Sequence, residues 1–161
     1  MAGKKSPQVK SKKRVQDFAE VFTAEREVKS MCDLIPPDMW QDIVATFLEP
    51  ACGNGAFLKE ILTRKLSHCI TPLQGLCALE SIYGIEIQTD NVEESKQALF
   101  DIFLERFGKD SALYGYMAMR VLDRNIVCAD SLVLQKLLET HEWDEAVRLY
   151  KSESGESVSN T

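Results

Sequence analysis

A chain of 161 residues, 45% apolar and 27% charged, has the size and composition of one globular domain with its own core. No apolar run approaches the ~20 residues that span a bilayer. The basic N-terminus is not followed by the apolar stretch of a secretory signal, so no membrane role is expected and a cytoplasmic location is. The net charge of −6 hides an asymmetry: residues 1–16 carry Lys4, Lys5, Lys10, Lys12, Lys13 and Arg14 with no acid, and all 25 acids follow.

In chain order, residues 1–16 read as a basic disordered tail, either solvated or in contact with nucleic-acid phosphates. Order is expected to begin between Val15 and Phe22. Thr23 is placed as the N-cap of a helix with Glu25 and Glu27 in its first turn and Val28, Met31, Cys32, Leu34 and Ile35 on its apolar face. Pro36-Pro37 stops that helix, and Asp38 caps a short one over 39–44. Phe47-Leu48 is the first strand. Helices are predicted over 56–66 and 72–80, a second strand over 81–87, helices over 91–107 and 111–122, a third strand over 125–129, and short helices over 131–138 and 143–150. Residues 151–161, rich in Ser, Glu and Gly, read as a second disordered tail. Strand, helix, strand, helix, strand predicts the βαβαβ half of an open α/β fold, a partial parallel sheet flanked by helices.

The stretch Glu49-Pro50-Ala51-Cys52-Gly53-Asn54-Gly55 turns the first strand into a helix, the local plan of a nucleotide-binding βα unit. Pro50 biases Glu49 toward extended backbone, and the glycines permit a sharp turn close to a ligand. The second strand ends at Glu86 and the third at Asp130. In a parallel sheet, ligands sit at the carboxyl ends of the strands. One acid at a strand end reads most simply as a solvated loop residue, but three with a glycine turn predict a shared crevice. Leu58 stands where the dinucleotide fingerprint needs Gly or Ala, which argues against a nicotinamide-dependent oxidoreductase, and no P-loop is present. An acid ahead of the turn suits a cationic ligand rather than a pyrophosphate. S-adenosyl-L-methionine fits: Glu49 and the turn for its methionine part, Glu86 for the ribose, Asp130, Ser131 and Leu132 for the adenine.

Glu49-Pro50-Ala51-Cys52-Gly53-x-Gly55-x-Phe57-Leu58 also resembles motif I of the amino-methylating DNA methyltransferases, above all the adenine-N6-specific enzymes of restriction-modification systems. Ala19-Glu20-Val21-Phe22-Thr23-Ala24 resembles motif X, with Ala24 where that family has Pro. Gly84-Ile85-Glu86-Ile87 resembles motif II and Ala129-Asp130-Ser131-Leu132 motif III. The resemblance spans residues 14–132. It implies a Rossmann-like class I methyltransferase domain over 17–150. S-adenosyl-L-methionine would be held by Phe22, Thr23, Glu49, Pro50, Ala51, Gly53, Gly55, Glu86, Ile87, Asp130, Ser131 and Leu132. It further implies methyl transfer to adenine N6 of a base flipped out of DNA.

The catalytic [Asn/Asp/Ser]-Pro-Pro-[Tyr/Phe] loop of that family has no counterpart. The one Pro-Pro pair is Pro36-Pro37, and no proline follows Asp130. No target-recognition region is evident, and no residue is assigned a catalytic role. The expectation is a truncated methyltransferase whose catalytic loop and target recognition lie on a second polypeptide, or an inactive cofactor-binding regulatory module. The five cysteines form no C-x-x-C pair and read as reduced thiols without a metal. His68 and His141 read as surface or capping residues, and Trp40 and Trp143 as packing.

Overall fold

The computed structural model describes residues 8–18, 21–108 and 112–155 (of 16–18, the backbone alone). Three short strands, β1 (Phe47–Glu49), β2 (Ile82–Glu86) and β3 (Ile126–Cys128), form a parallel sheet in the order β1-β2-β3. Leu48 pairs with Tyr83, and Ile85 with Val127. Helices α1 (Lys12–Phe18), α2 (Glu25–Cys32) and α3 (Pro37–Gln41) precede β1. Helices α4 (Ala56–Leu66) and α5 (Pro72–Glu80) link β1 to β2, and α6 (Thr89–Phe107) and α7 (Ala112–Asn125) link β2 to β3. Helices α8 (Ser131–Leu138) and α9 (Trp143–Glu153) follow.

Both crossovers step across the sheet in the same direction, so α4 to α7 lie together on one face. Side chains alternate along β2. Ile82 joins Leu58, Leu62, Leu79, Leu99, Phe103 and Phe107 in the larger core. Ile85 points the other way, into a smaller core with Val127, Ala129, Leu134 and Ala146 under α8 and α9. Tyr83, on the same side, meets Trp143 edge-on at 4.8 Å. Gly84 sits under α4: a Cβ there would stand 2.9 Å from the Leu58 side chain. The glycine is therefore a condition for that helix to approach the sheet.

Local chemistry explains several ends. Thr71 and Gln74 form a reciprocal capping box at α5, with Pro72 in its first turn. Asp130 caps α8 by accepting from the amides of Leu132 and Val133. Pro36 and Pro37 introduce α3 as well as follow α2.

Several expectations are corrected. Helix α2 is preceded by Ala24, not capped by Thr23, and makes no side-chain cap bond. Helix α6 starts at Thr89, two residues ahead of the expected 91, and is preceded by Gln88. Helix α3 ends at Gln41, short of Val44. The ranges expected as tails, 1–16 and 151–161, are in part helical where they are described: α1 begins at Lys12 and α9 runs to Glu153. Lys4, Lys5, Ala19, Glu20, Ser111 and residues 156–161 lie outside the described residues.

Lys65 is the least expected member of the core. It is fully buried on α4 and donates to the carbonyls of Ile43 and Ala45 and to the Ser81 hydroxyl. Its ammonium also lies 5.1 Å from the Phe47 ring centroid. These acceptors precede β1 and β2, so Lys65 ties the amino ends of the two strands together. Among the described residues, no helix is long and apolar enough to cross a membrane.

Candidate functional site

The carboxyl ends of the strands carry the candidate site. After β1 the chain turns at Pro50 and Ala51, and the Cys52 amide donates to the Ile85 carbonyl at 3.0 Å. Gly53 and Gly55 then adopt left-handed backbone, with φ of 53° and 84°. The Gly55 amide closes the turn on the Cys52 carbonyl at 2.8 Å, and α4 starts at the next residue. Ser95, buried on α6, donates its hydroxyl to the Gly53 carbonyl at 2.9 Å. The turn is thus fixed from both crossovers.

Glu86 reaches this turn from the adjacent strand. Its Oε2 accepts from the Gly53 amide at 2.9 Å and its Oε1 from the Gln88 amide at 2.8 Å. Glu49 accepts from the Ala51 amide at 3.2 Å and stays half-buried. Phe22 and Thr23, from ahead of the first strand, close a cleft of about 200 Å³ over the turn. Its other lining residues include Glu49, Ala51, Gly53, Asn54 and Phe57. A Cβ on Gly53 would stand 3.4 Å from two carbons of the Phe22 ring, so the ring rests directly against that residue.

Of the residues singled out in the sequence, Phe22, Thr23, Glu49, Ala51 and Gly53 share this cleft, and Glu86 is bonded to it through the Gly53 amide. Pro50 belongs to the turn, and Gly55 faces Ser95 beneath it. Ile87, Asp130, Ser131 and Leu132 lie outside the cleft, at the ends of β2 and β3. Ile87 and Leu132 are 50% and 73% exposed, an open apolar pair at neighbouring strand ends. Asp130 is occupied as a cap: its Oδ1 takes both α8 amides, and its own amide donates to the Tyr150 hydroxyl at 2.9 Å. The three acids therefore do not converge on one point. They follow one another along the sheet's edge, with Glu49 and Glu86 at the glycine turn and Asp130 beyond them.

Sequence reasoning did not single out Asn54 or Ser95, and it named Phe57 within the motif and on the apolar face of its helix, not as a cleft residue. Asn54 stands between the two glycines of the turn, and nothing local to Ser95 marks its bond to Gly53. Cys52 is buried, and burial, then the nearby Glu86 carboxylate, push its thiol up to about 12. It is a packing residue, not a nucleophile. Among the described residues no group of His, Cys, Asp and Glu is placed to hold a metal ion.

The basic arm is not free for DNA along its whole length. Lys10 and Arg14 turn inward onto Asp90 at the start of α6, while Lys12 and Lys13 are exposed. The arrangement presents a small cleft with one acid, Glu49, and a wall of small residues and aromatic rings; Ile87, Asp130 and Leu132 lie further along the strand ends. One acid in a cleft of this size suits a compact cationic group. No protein-family model, curated protein or solved structure matches this chain.

Proposed function

We propose that the chain is the S-adenosyl-L-methionine-binding part of a class I, Rossmann-like methyltransferase, similar to adenine-N6-specific DNA methyltransferases of restriction-modification systems. The observation that carries the reading is the cleft itself. Phe22 and Thr23, some 30 residues ahead of the glycine turn in the sequence, pack over it beside Glu49. A cleft of about 200 Å³ is below the ~300 Å³ usual for a complete small-molecule site. It suits the amino-acid end of the cofactor, with the nucleoside along the strand ends: ribose at Glu86, adenine between Ile87 and Leu132 near Asp130.

Methyl transfer to adenine N6 in DNA would need a group that accepts the amino protons and a ring that stacks on the flipped base. The sequence holds no Pro-Pro-aromatic stretch after Asp130, so we assign cofactor binding to these 161 residues and place the catalytic loop and DNA recognition outside them. The same missing loop favours one other reading, a cofactor-binding regulatory module without catalysis. A cytoplasmic location accords with either.

The test is direct. A ligand that binds only the folded chain raises its melting temperature, so S-adenosyl-L-methionine should raise that of the wild type and not that of Glu86→Ala. No shift at saturating cofactor sinks the proposal. Methylation of DNA by the chain mixed with the product of the neighbouring open reading frame, but not by the chain alone, selects the divided enzyme. Cofactor binding without activity in either case selects the module.

A further inference from the structure

The ion-pair cluster beside the cleft has no role in the binding scheme above. Lys10 donates to Asp90 at 2.9 Å, to Asn91 at 2.6 Å and to Glu94 at 2.6 Å. Arg14 makes a two-pronged contact with Asp90, at 2.7 and 3.1 Å. The hydrogen bonds from Arg14 and then Lys10 hold the Asp90 carboxyl well below the usual carboxylate range. The same Lys10 ammonium lies 5.9 Å from the centroid of the Phe22 ring, and the Phe22 amide donates to the Gln8 carbonyl at 2.8 Å. Phe22 is in turn a wall of the cleft, against Gly53. Helix α6 therefore holds both sides: Ser95 grips the glycine turn, and Asp90, Asn91 and Glu94 grip the segment whose Lys10 and Gln8 contact Phe22.

We propose that Lys10, Arg14 and Asp90 form a salt-sensitive latch that holds Phe22 over the glycine turn and so sets how fast a bound ligand leaves. The part concerning the ligand rests on the cofactor reading of the cleft; the part concerning Phe22 stands without it. Single surface ion pairs contribute little, but a two-pronged Arg–carboxylate contact inside a network of charges has geometry that exceeds a lone pair. The side chains of Lys10 and Arg14 are 23% and 21% exposed and that of Asp90 49%. Dissolved salt reaches such a cluster and screens it. Nothing covalent holds the arm against α6, so weakening these pairs frees the ring.

Two readouts test the latch, both on the full chain. The first is hydrogen exchange of the Phe22 amide without ligand. Asp90→Asn, and separately Lys10→Gln with Arg14→Gln, should speed that exchange about tenfold. Raising salt from about 0.05 to about 0.5 M should speed it in the wild type and hardly at all in the variants. Asp90→Glu, which keeps the charge, should restore both protection and salt dependence. The second is the dissociation rate of S-adenosyl-L-methionine by stopped flow, expected to rise in the same variants by a similar factor. Phe22 protection that ignores both the substitutions and salt overturns the latch. So does an unchanged dissociation rate in variants that have lost protection. If the wild type binds no S-adenosyl-L-methionine, the cofactor reading fails and Phe22 exchange alone decides the latch. If a variant does not fold, the wild-type salt series decides it.

Discussion

The Glu86 carboxylate accepts the Gly53 amide at 2.9 Å and the Gln88 amide at 2.8 Å, one on each oxygen. The acid expected to hold a ribose therefore braces the glycine turn against the end of β2. A glutamine there keeps one carbonyl oxygen and turns an NH2 toward the other amide, leaving that donor unpaired. Glu86→Gln should lower the stability of the ligand-free chain by about 1–3 kcal/mol. Urea denaturation of the two chains checks it, and an unchanged midpoint would show that the brace carries no energy. The cofactor response of any Glu86 variant must accordingly be read as the rise above its own melting temperature.

Gly55 makes a sharper case for the turn. Its φ is 84°, and a Cβ would stand 2.9 Å from the Ser95 hydroxyl oxygen and 3.2 Å from the Ser95 Cα. An alanine meets both left-handed strain and backbone that cannot easily retreat, so Gly55→Ala should cost roughly 1–3 kcal/mol. Adding Ser95→Ala removes the hydroxyl but not the backbone obstacle. The double variant should recover only part of the loss, a coupling that a double-mutant cycle measures. Full additivity would mean that the two residues do not press on each other.

How much of this was legible in the sequence follows from how local each signal is. The helices at 56–66, 72–80 and 131–138 were readable because their apolar spacing repeats within a few residues, after a glycine turn, a proline and a strand end respectively. The glycine turn and Glu86 were readable because their signals are equally local. The arm was not: a basic run without periodicity looks alike whether solvated or bonded to Asp90, 80 residues further on for Lys10. Lys65 was hidden because its acceptors are backbone carbonyls and a serine from two other segments, which leave no charge pattern on α4. Thr23 misled because its composition suits an N-cap while the helix takes Ala24 instead. Asp130 was seen as a ligand residue, but its capping role follows from its position alone.

Cys52 lies in the middle of the most informative stretch and should still be inert. It is 6% exposed, and burial, followed by the Glu86 carboxylate, raises its thiol to about 12. Cys77 and Cys128 are half-buried. Because the thiolate is the reactive form, brief iodoacetamide treatment of the folded chain near pH 8 should label Cys77 and Cys128 ahead of Cys52. Peptide mass spectrometry reads the order. Early labelling of Cys52 would show that the turn opens readily or that its thiol is not raised.

Lys65 predicts a pH dependence whose sign is fixed by its burial. Burial lowers its ammonium to about 8 from 10.5, with Asp42 and Cys69 acting in the opposite sense. Below about 8 both folded and unfolded chains carry the proton, and the folded chain bears the full cost of a buried cation. Between about 8 and 10.5 the unfolded chain binds more protons at this site than the folded one. Unfolding free energy must then rise with pH as far as Lys65 is concerned. The rise is isolated by comparison with Lys65→Met, both chains carrying Cys69→Ala, because Lys65 also acts on the buried Cys69 thiol. The stability of the chain that keeps Lys65 should gain on that of the Lys65→Met chain as pH climbs through that window, whatever the gap at pH 7. Urea midpoints at about pH 7 and about pH 9.5 provide the measurement. A constant gap would mean that the three oxygens from Ile43, Ala45 and Ser81 hold the ammonium charged as firmly as water does, offsetting its burial.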